Sequence, residues 1–416
     1  MPRPRVPQAY RQLLARREIR LLLAGLGVSS LGDGISTVTI AWLAVGIAPA
    51  GLLGLYVGLA VAAYTLPGVI GALTFGRFLR GRPARTLVLV HAILRAGSLS
   101  AIALLALFGA LTPPVYVLLL ATSSLMAAWG NAGEYTMLSA LAGASSRFAV
   151  NSLASAQTSL AFIVGPLLAG TLLAILSPGW LLLADALTFA FLGAAAWLTR
   201  TDAGAGDGPV DMQAAESGFR LLRRRDLLSL TVLTWLFFLL YGPVEVALPV
   251  YVAEDVGASA QLLAAYWTAF GVGALVSILL TGALRAGNMR RIALLIVAGW
   301  GACLIPFAGA PIPVTVAFFA IGGIVYGPFV PLTYSIYQSA TTERNLPSLL
   351  AARSALMLVS TPLGTALGGP LVGALGGRGT LLWSGIATVV LAVAGAIAWR
   401  ERTQAPTGQL LDRHST

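Results

Sequence analysis

The sequence predicts an all-α membrane protein whose twelve transmembrane helices form two pseudo-symmetric six-helix bundles. Three observations predict this fold class: an apolar composition, a series of apolar runs of helix length, and a local pattern that occurs twice. Of the 416 residues, 57% are hydrophobic and only 10% are charged. Soluble globular proteins carry about 25% charged residues, so the composition excludes a water-soluble protein.

The segment that leads into the first apolar run occurs again half a chain later. Residues 10–19 match residues 219–227 position by position if Gln12 is skipped. A weaker match at a similar offset relates residues 76–85 to residues 282–291. Two tandem halves in a membrane protein are typical of transporters that bind their substrate at the interface between the halves. Transport is therefore the leading hypothesis.

Twelve apolar runs, separated by Pro, Gly or charged residues, have about the 20-residue length that crosses a bilayer. The runs are 21–47, 52–75, 86–110, 115–138, 150–176, 181–198, 227–252, 260–284, 292–308, 314–339, 348–375 and 381–399. A polar segment without apolar periodicity divides them into two groups of six. The predicted organisation is an N-terminal half (1–198), a cytoplasmic linker (199–218) and a C-terminal half (219–416).

All 26 basic residues are arginines, and their distribution predicts the orientation of the chain. Outside the apolar runs they occupy the two termini and every second connection, whereas the opposite set of connections contains only Arg378. Because cytoplasmic loops are enriched in basic residues, both termini are predicted to be cytoplasmic. We expect a multi-pass protein of a bacterial cytoplasmic (inner) membrane. The net charge of +11 does not indicate nucleic acid, since the arginines flank the membrane segments.

No motif of an enzyme or of a metal site is found in the sequence. The absence of lysine excludes a phosphate-binding loop of the Gly-Lys-Ser/Thr type, which argues against ATP-driven transport by this chain. The two histidines, His91 and His414, are far apart, and Cys303 is the single cysteine. The sequence therefore predicts a non-enzymatic protein without a metal or another cofactor.

An aspartate in the first apolar run is the strongest candidate for a functional charge. A charged side chain in a membrane span costs at least ~2.5–3.5 kcal/mol, so Asp33 needs a reason to be there. Its neighbours Gly32 and Gly34 would allow another helix to approach closely. Asp33 is interpreted either as a site for protons or a cationic substrate, or as a structural partner in the bundle. The repeat places Tyr241 at the matching position of the second half.

Other charges in the spans allow two interpretations each. Glu245 either lines a vestibule that opens outward or lies on a water-exposed surface. Glu134, Arg95 and Arg353 could form ion pairs that close a gate. Alternatively, the two arginines extend towards the lipid headgroups, which is the favoured interpretation for Arg95. Asp185 is expected near the outer interface in a structural role.

Polar and aromatic residues in the same spans could line a cavity for large amphipathic cargo. The candidates are Tyr64, Asn131, Gln157, Trp235, Trp267, Tyr326 and Tyr334, with Tyr266 and Gln338 as further members. Any single aromatic residue in this set is more often a packing or interface residue than a ligand contact.

The local sequences resemble the major facilitator superfamily, in particular its drug, macrolide and siderophore exporter branch. The resemblance rests on the twelve spans in two halves and on segments 29–33, 185–189 and 362–369. The family signature after the second span has an Asp where this chain has Arg80, and the second copy has Ala286 there. As a hypothesis, Glu134 replaces that carboxylate and pairs with Arg80 or Arg353.

The fifth span resembles the antiporter signature of the same family, in which small residues recur at fixed spacing. The matching positions are Ser152, Ala161, Gly165, Pro166, Ala169 and Gly170. Of these, Gly165, Pro166 and Gly170 are expected to pack at a gate. The resemblance implies proton-coupled export of small organic molecules by a monomer, with protons, a small-molecule substrate and the bilayer as partners. Uptake of a metabolite, or a receptor or lipid-handling role on the same scaffold, are the alternatives.

Overall fold

The computed structural model describes residues 13–79, 81–143, 146–199, 218–281, 288–342 and 345–403. These residues contain eleven helices that are long and apolar enough to cross a membrane. The predicted linker lies outside the described residues except for its first and last positions, and Arg80 also lies outside them.

Six spanning helices form the first half. They are α1 (Arg17–Ile47), α2 (Leu53–Thr74), α3 (Ala84–Leu107), α4 (Pro113–Ala142), α5 (Arg147–Leu172) and α6 (Pro178–Leu198). Helix α4 is interrupted at Leu125 and Met126, between the segments Pro113–Ser124 and Ala127–Ala142. A short helix, Gly76–Leu79, follows α2.

The second half begins with four spanning helices, three of which contain an irregular turn or an interruption. They are α7 (Leu227–Asp255), α8 (Ala260–Thr281), α9 (Met289–Ala308) and α10 (Ile312–Ser339). Helix α7 ends in a π-helical turn at Tyr251–Asp255, and α9 ends in a 3₁₀ turn at Ile305–Ala308. Helix α10 is interrupted between its segments Ile312–Tyr326 and Phe329–Ser339.

The last helical segment, Leu346–Thr403, contains two spans. Its 58 residues would extend about 87 Å at 1.5 Å per residue, nearly three times the ~30 Å hydrocarbon thickness. Gly376 breaks it with φ 71° and ψ 176°, a conformation that glycine adopts without a steric penalty. The segments 346–375 (α11) and 377–403 (α12) complete the twelve spans, which confirms the predicted fold class.

Matching glycine contacts in the two halves show their structural relationship. Gly34 on α1 faces Gly165 on α5 so closely that a Cβ on either residue would overlap the other helix. Gly242 on α7 faces Gly364 on α11 in the same way. Helix α7 matches α1 and α11 matches α5 in the order of each half, so the same contact occurs twice. Small residues at such crossings allow two helices to pack backbone to backbone.

The two halves touch near one side of the bundle. The side on which α1 begins is called the arginine-rich side, and the opposite side, which carries Arg378, the arginine-poor side. Close to the arginine-poor side, Gly54 on α2 contacts Val372 on α11. On the same side, Gly170 on α5 contacts Ala264 on α8. These contacts hold the two halves together close to the arginine-poor side.

We expect Gly34→Ala to lower the thermal stability of the purified protein, by the ~1–3 kcal/mol that overpacking typically costs. The added Cβ would meet the carbonyl oxygen of Ala161 and the backbone of Gly165, which cannot retreat easily. The matched control is Gly46→Ala in the same helix, where a Cβ meets nothing within 4 Å. Thermal unfolding in detergent measures both variants. Equal stability of the two would contradict the packing argument.

Candidate functional site

A charged network of three side chains joins the first three helices of the first half. Arg95 on α3 forms an ion pair with Asp33 on α1 and also donates to the hydroxyl of Tyr64 on α2. The Tyr64 hydroxyl donates to Asp33 Oδ1 at 2.8 Å, which closes the ring of contacts. The Arg95 guanidinium carbon lies 4.4 Å from the centroid of the Tyr64 ring and 4.9 Å from that of Phe189.

Arg95 is the partner of Asp33 that the sequence did not identify. Its side chain is only 5% exposed, so the interpretation that it extends to the lipid headgroups is wrong. The Asp33 side chain is 34% exposed and is therefore the accessible end of the pair. The signal in the sequence was the arginine itself, because a guanidinium within an apolar span needs an acceptor.

Asp185 on α6 lies directly behind Asp33 and is held by hydroxyl groups. Ser36 donates to one of its carboxylate oxygens, and Thr188 donates to the other at 3.0 Å. Asp185 is fully buried, against the position where a side chain at Gly32 would stand. The expected structural role agrees with these bonds, but the residue lies inside the bundle and not near the outer interface.

Glu134 on α4 does not pair with Arg353 on α11. It lies instead beside His91 on α3, whose Nδ1 is 4.0 Å from Glu134 Oε1. Both side chains are buried. Glu134 and Arg353 belong to different halves, and the close contacts between the halves lie on the other side of the bundle, so the expected gate pair is not formed. Pairing of Glu134 with Arg80 lies outside the described residues.

Arg353 lies against two aromatic rings of α10, and its Nη2 donates to the Thr333 hydroxyl at 3.5 Å. Its guanidinium carbon lies 4.2 Å from the centroid of the Tyr334 ring and 5.6 Å from that of Tyr337. Attraction between a cation and the faces of aromatic rings stabilises a charge that has lost its water. Tyr334 is therefore a packing partner of this arginine in the described arrangement.

The second half presents aromatic rings where the first half presents charges. Tyr241 on α7 lies 5.6 Å from Trp300 and 5.7 Å from Tyr326, measured between ring centroids. One turn further along α7, the half-buried Glu245 accepts a hydrogen bond of 3.0 Å from Thr365. Glu245 is thus part of the polar interior and not a plain surface residue.

The remaining cavity candidates divide into packed and accessible residues. Trp267 is half-buried and its ring lies 5.8 Å from that of Phe319. Tyr266 is buried, with its hydroxyl 2.6 Å from that of Thr315, so it belongs to the core and not to a cavity. Half-buried or exposed positions are occupied by Asn131, Gln157, Trp235 and Gln338.

The three residues expected to pack at a gate do not act together. Gly165 contacts α1 of its own half, beside Asp33, and therefore shapes the charged network. Gly170 contacts α8 of the other half near the arginine-poor side. Pro166 lies within α5 between these two contacts.

Twelve spans in two related halves, with buried charges in one and an aromatic cluster in the other, define an integral membrane transporter. A model of the Major Facilitator Superfamily matches residues 230–414. The crystal structure of the nucleoside transporter NupG superposes with a TM-score of 0.65 at 15% identity, over 92% of this chain and 100% of that chain. A D-xylose–proton symporter gives the same score at 16% identity, over 92% and 97%. The second half of the chain thus matches the Major Facilitator Superfamily model, and the whole chain shares the fold of these solved transporters.

Its curated relatives span most of its length. Over 387 residues the chain is 28% identical to a protein of Mycobacterium bovis (strain BCG / Pasteur 1173P2) named multidrug efflux pump Tap. That alignment covers 87% of this chain and 88% of the relative. A protein of the same name from Mycolicibacterium fortuitum is 27% identical over 405 residues, with coverage of 93% and 97%. The chain is thus a multi-pass transporter of small molecules and not an enzyme.

We expect Arg95→Met to destabilise the protein and Asp33→Leu to restore part of the loss in the double variant. Removing one partner of a buried ion pair costs ~3–5 kcal/mol, and the exposure of Asp33 reduces this to roughly 1–3 kcal/mol. A double-mutant cycle on thermal unfolding in detergent measures the coupling. Strictly additive effects of the two substitutions would show that the pair contributes no interaction energy.

Proposed function

We propose that this transporter exports small organic molecules, of the drug, antibiotic or siderophore kind, across a bacterial inner membrane in exchange for protons. The observation that carries the proposal is the accessible carboxylate of Asp33, held against a buried arginine. An intramembrane carboxylate with its counter-ion is the usual element of a proton relay in transporters. The names of the relatives, multidrug efflux pumps, support the direction of transport.

Coupling would follow from the charge state of Asp33. Protonation of the Asp33 carboxylate removes its negative charge and thus its ionic attraction to Arg95. The Tyr64 hydroxyl then donates its hydrogen bond to a neutral carboxyl group, which is a weaker acceptor than a carboxylate. The network would then loosen and change the approach of α1, α2 and α3. If a cationic or hydrogen-bonding substrate competes with the proton for Asp33, the transporter would exchange substrate for proton.

The substrate would be held mainly by the second half. The half-buried Tyr241 and Tyr326 offer ring faces, with the buried Trp300 packed against both. Glu245 supplies one carboxylate one turn away from Tyr241. Apolar walls with few polar groups suit aromatic organic molecules of varied shape. Asp33 and Tyr241 occupy matching positions, each followed by the glycine that packs on its neighbouring helix.

Transport would proceed by alternating access, in which the halves 1–198 and 219–416 rock about the site and the linker 199–218 connects them. The contacts of Gly54 and Gly170 support an arrangement closed at the arginine-poor side. With both termini in the cytoplasm, as the arginine distribution predicts, this arrangement would face inward to collect cargo. The protein would work as a monomer, because each chain carries both halves.

Asp33→Asn is expected to abolish proton-driven export while the protein remains folded, because the amide keeps the size of the side chain but cannot carry a proton. Everted vesicles with a preset pH gradient are given a panel of aromatic antibiotics and dyes. Wild-type vesicles should lose the gradient when a substrate is added, and the variant should not. The control is Glu254→Gln, an exposed carboxylate at the end of α7, which should behave as wild type. If Asp33→Asn vesicles lost the pH gradient as fast as wild-type vesicles, the coupling role of Asp33 would be refuted.

A disulfide between Gly170→Cys and Ala264→Cys should stop export by fixing the arginine-poor side closed. A Cβ at position 170 would stand closer to the Ala264 Cβ than the ~3.5–4.5 Å separation in a disulfide, so the bond forms once α5 and α8 separate by about 1 Å. The native Cys303 is buried and is replaced by Ala in the test protein. Drug accumulation in cells is measured after oxidation and again after reduction, with each single Cys variant as control. Undiminished export by the fully oxidised protein would contradict alternating access at this contact.

A further inference from the structure

A groove between α9 and α12 has a basic entrance and an apolar wall. The groove has a volume of about 660 Å³.

The lining of the groove changes from polar and basic at its entrance to apolar at its deeper end. Asn288, Arg290 and Arg291 lie at its entrance, where α9 begins on the arginine-rich side, and Trp399 of α12 faces them. The Arg290 guanidinium carbon lies 5.8 Å from the centroid of the Trp399 ring. The deeper walls are apolar and consist of Leu294, Leu295, Ala298, Ala392, Val393 and Ala396.

The length of the groove matches one leaflet of a bilayer. From residue 288 to residue 298, helix α9 rises about 15 Å, at 1.5 Å per residue. Half of the ~30 Å hydrocarbon core is also about 15 Å. Leu295 and Val393 on the walls are more than half exposed, so the groove opens sideways to the lipid and not to the interior of the bundle.

The corresponding groove of the first half, between α3 and α6, lacks this basic entrance. It measures about 570 Å³, and its lining, which includes Leu89, Ile93 and Trp197, is entirely apolar. The nearby Arg85 donates to the backbone oxygen of Trp197 and lies over its ring at 4.8 Å. Arg85 therefore caps the end of α6 and does not line the groove, which makes this groove an internal control.

We propose that the groove between α9 and α12 is a binding site for one anionic phospholipid of the leaflet on the arginine-rich side. The phosphate lies against Arg290 and Arg291, and an acyl chain occupies the apolar groove below them. Basic pockets between transmembrane helices bind anionic headgroups in this way, and an interfacial tryptophan suits the headgroup level. The proposal is independent of the cargo and of proton coupling.

The experiment is native mass spectrometry of the purified full-length protein in detergent, titrated with dioleoyl-phosphatidylglycerol or dioleoyl-phosphatidylcholine. The wild type should bind one phosphatidylglycerol more tightly than phosphatidylcholine. The double variant Arg290→Gln/Arg291→Gln should lose this preference, with roughly 10- to 30-fold weaker phosphatidylglycerol binding, the scale expected for two interfacial arginines. Unchanged phosphatidylcholine binding shows that the variant is folded.

Two further variants distinguish this site from other lipid contacts. Arg85→Gln, at the control groove, should leave phosphatidylglycerol binding as in the wild type. Leu295→Trp fills the apolar wall without changing charge and should weaken it. Equal affinity for the two lipids, or equal losses in Arg85→Gln and the double variant, would overturn the proposal. Displacement of the lipid by millimolar inorganic phosphate, with no effect of Leu295→Trp, would also overturn it, because the site would then recognise a free anion.

Discussion

The ion pair between Asp33 and Arg95 is the interaction on which the arrangement of the first half depends. Either charge alone is costly within an apolar span, so the pair favours contact between α1 and α3 at the depth where these residues lie. Tyr64 brings α2 into the same contact, and the hydroxyl-bonded Asp185 lies behind it on α6. Four helices are thereby fixed around one accessible carboxylate.

Glycine contacts provide the close packing that this network requires. Gly34 and Gly165 let α1 and α5 touch directly beside Asp33, and Gly242 and Gly364 repeat the contact between α7 and α11. The scaffold is thus the same in both halves, whereas the residue before the first glycine differs. Asp33 in one half and Tyr241 in the other divide the interior into a charged face and an aromatic face.

The positions of Glu134 and Arg353 follow from the relation between the halves. The close contacts lie near the arginine-poor side, so charged residues of α4 and α11 near the other side have no partner across the interface. Each has neighbours in its own half instead: Arg353 lies against tyrosine rings, and Glu134 lies 4.0 Å from His91. A gate formed by Glu134 and Arg353 would require a different arrangement of the two halves.

The sequence by itself determined the twelve spans and the repeat that relates the two halves, and it singled out Asp33 as a charge that needs a partner. Span length, composition, repeats and charged residues can all be read directly from the chain. It also indicated that Gly32 and Gly34 admit close neighbours, as the contacts with Asp185 and Gly165 confirm. The pairing of Asp33 with Arg95, 62 residues apart, was decided only by the tertiary structure. So was the separation of Glu134 from Arg353. Which buried charges meet depends on how helices rotate and pack, and no periodicity in the sequence specifies that.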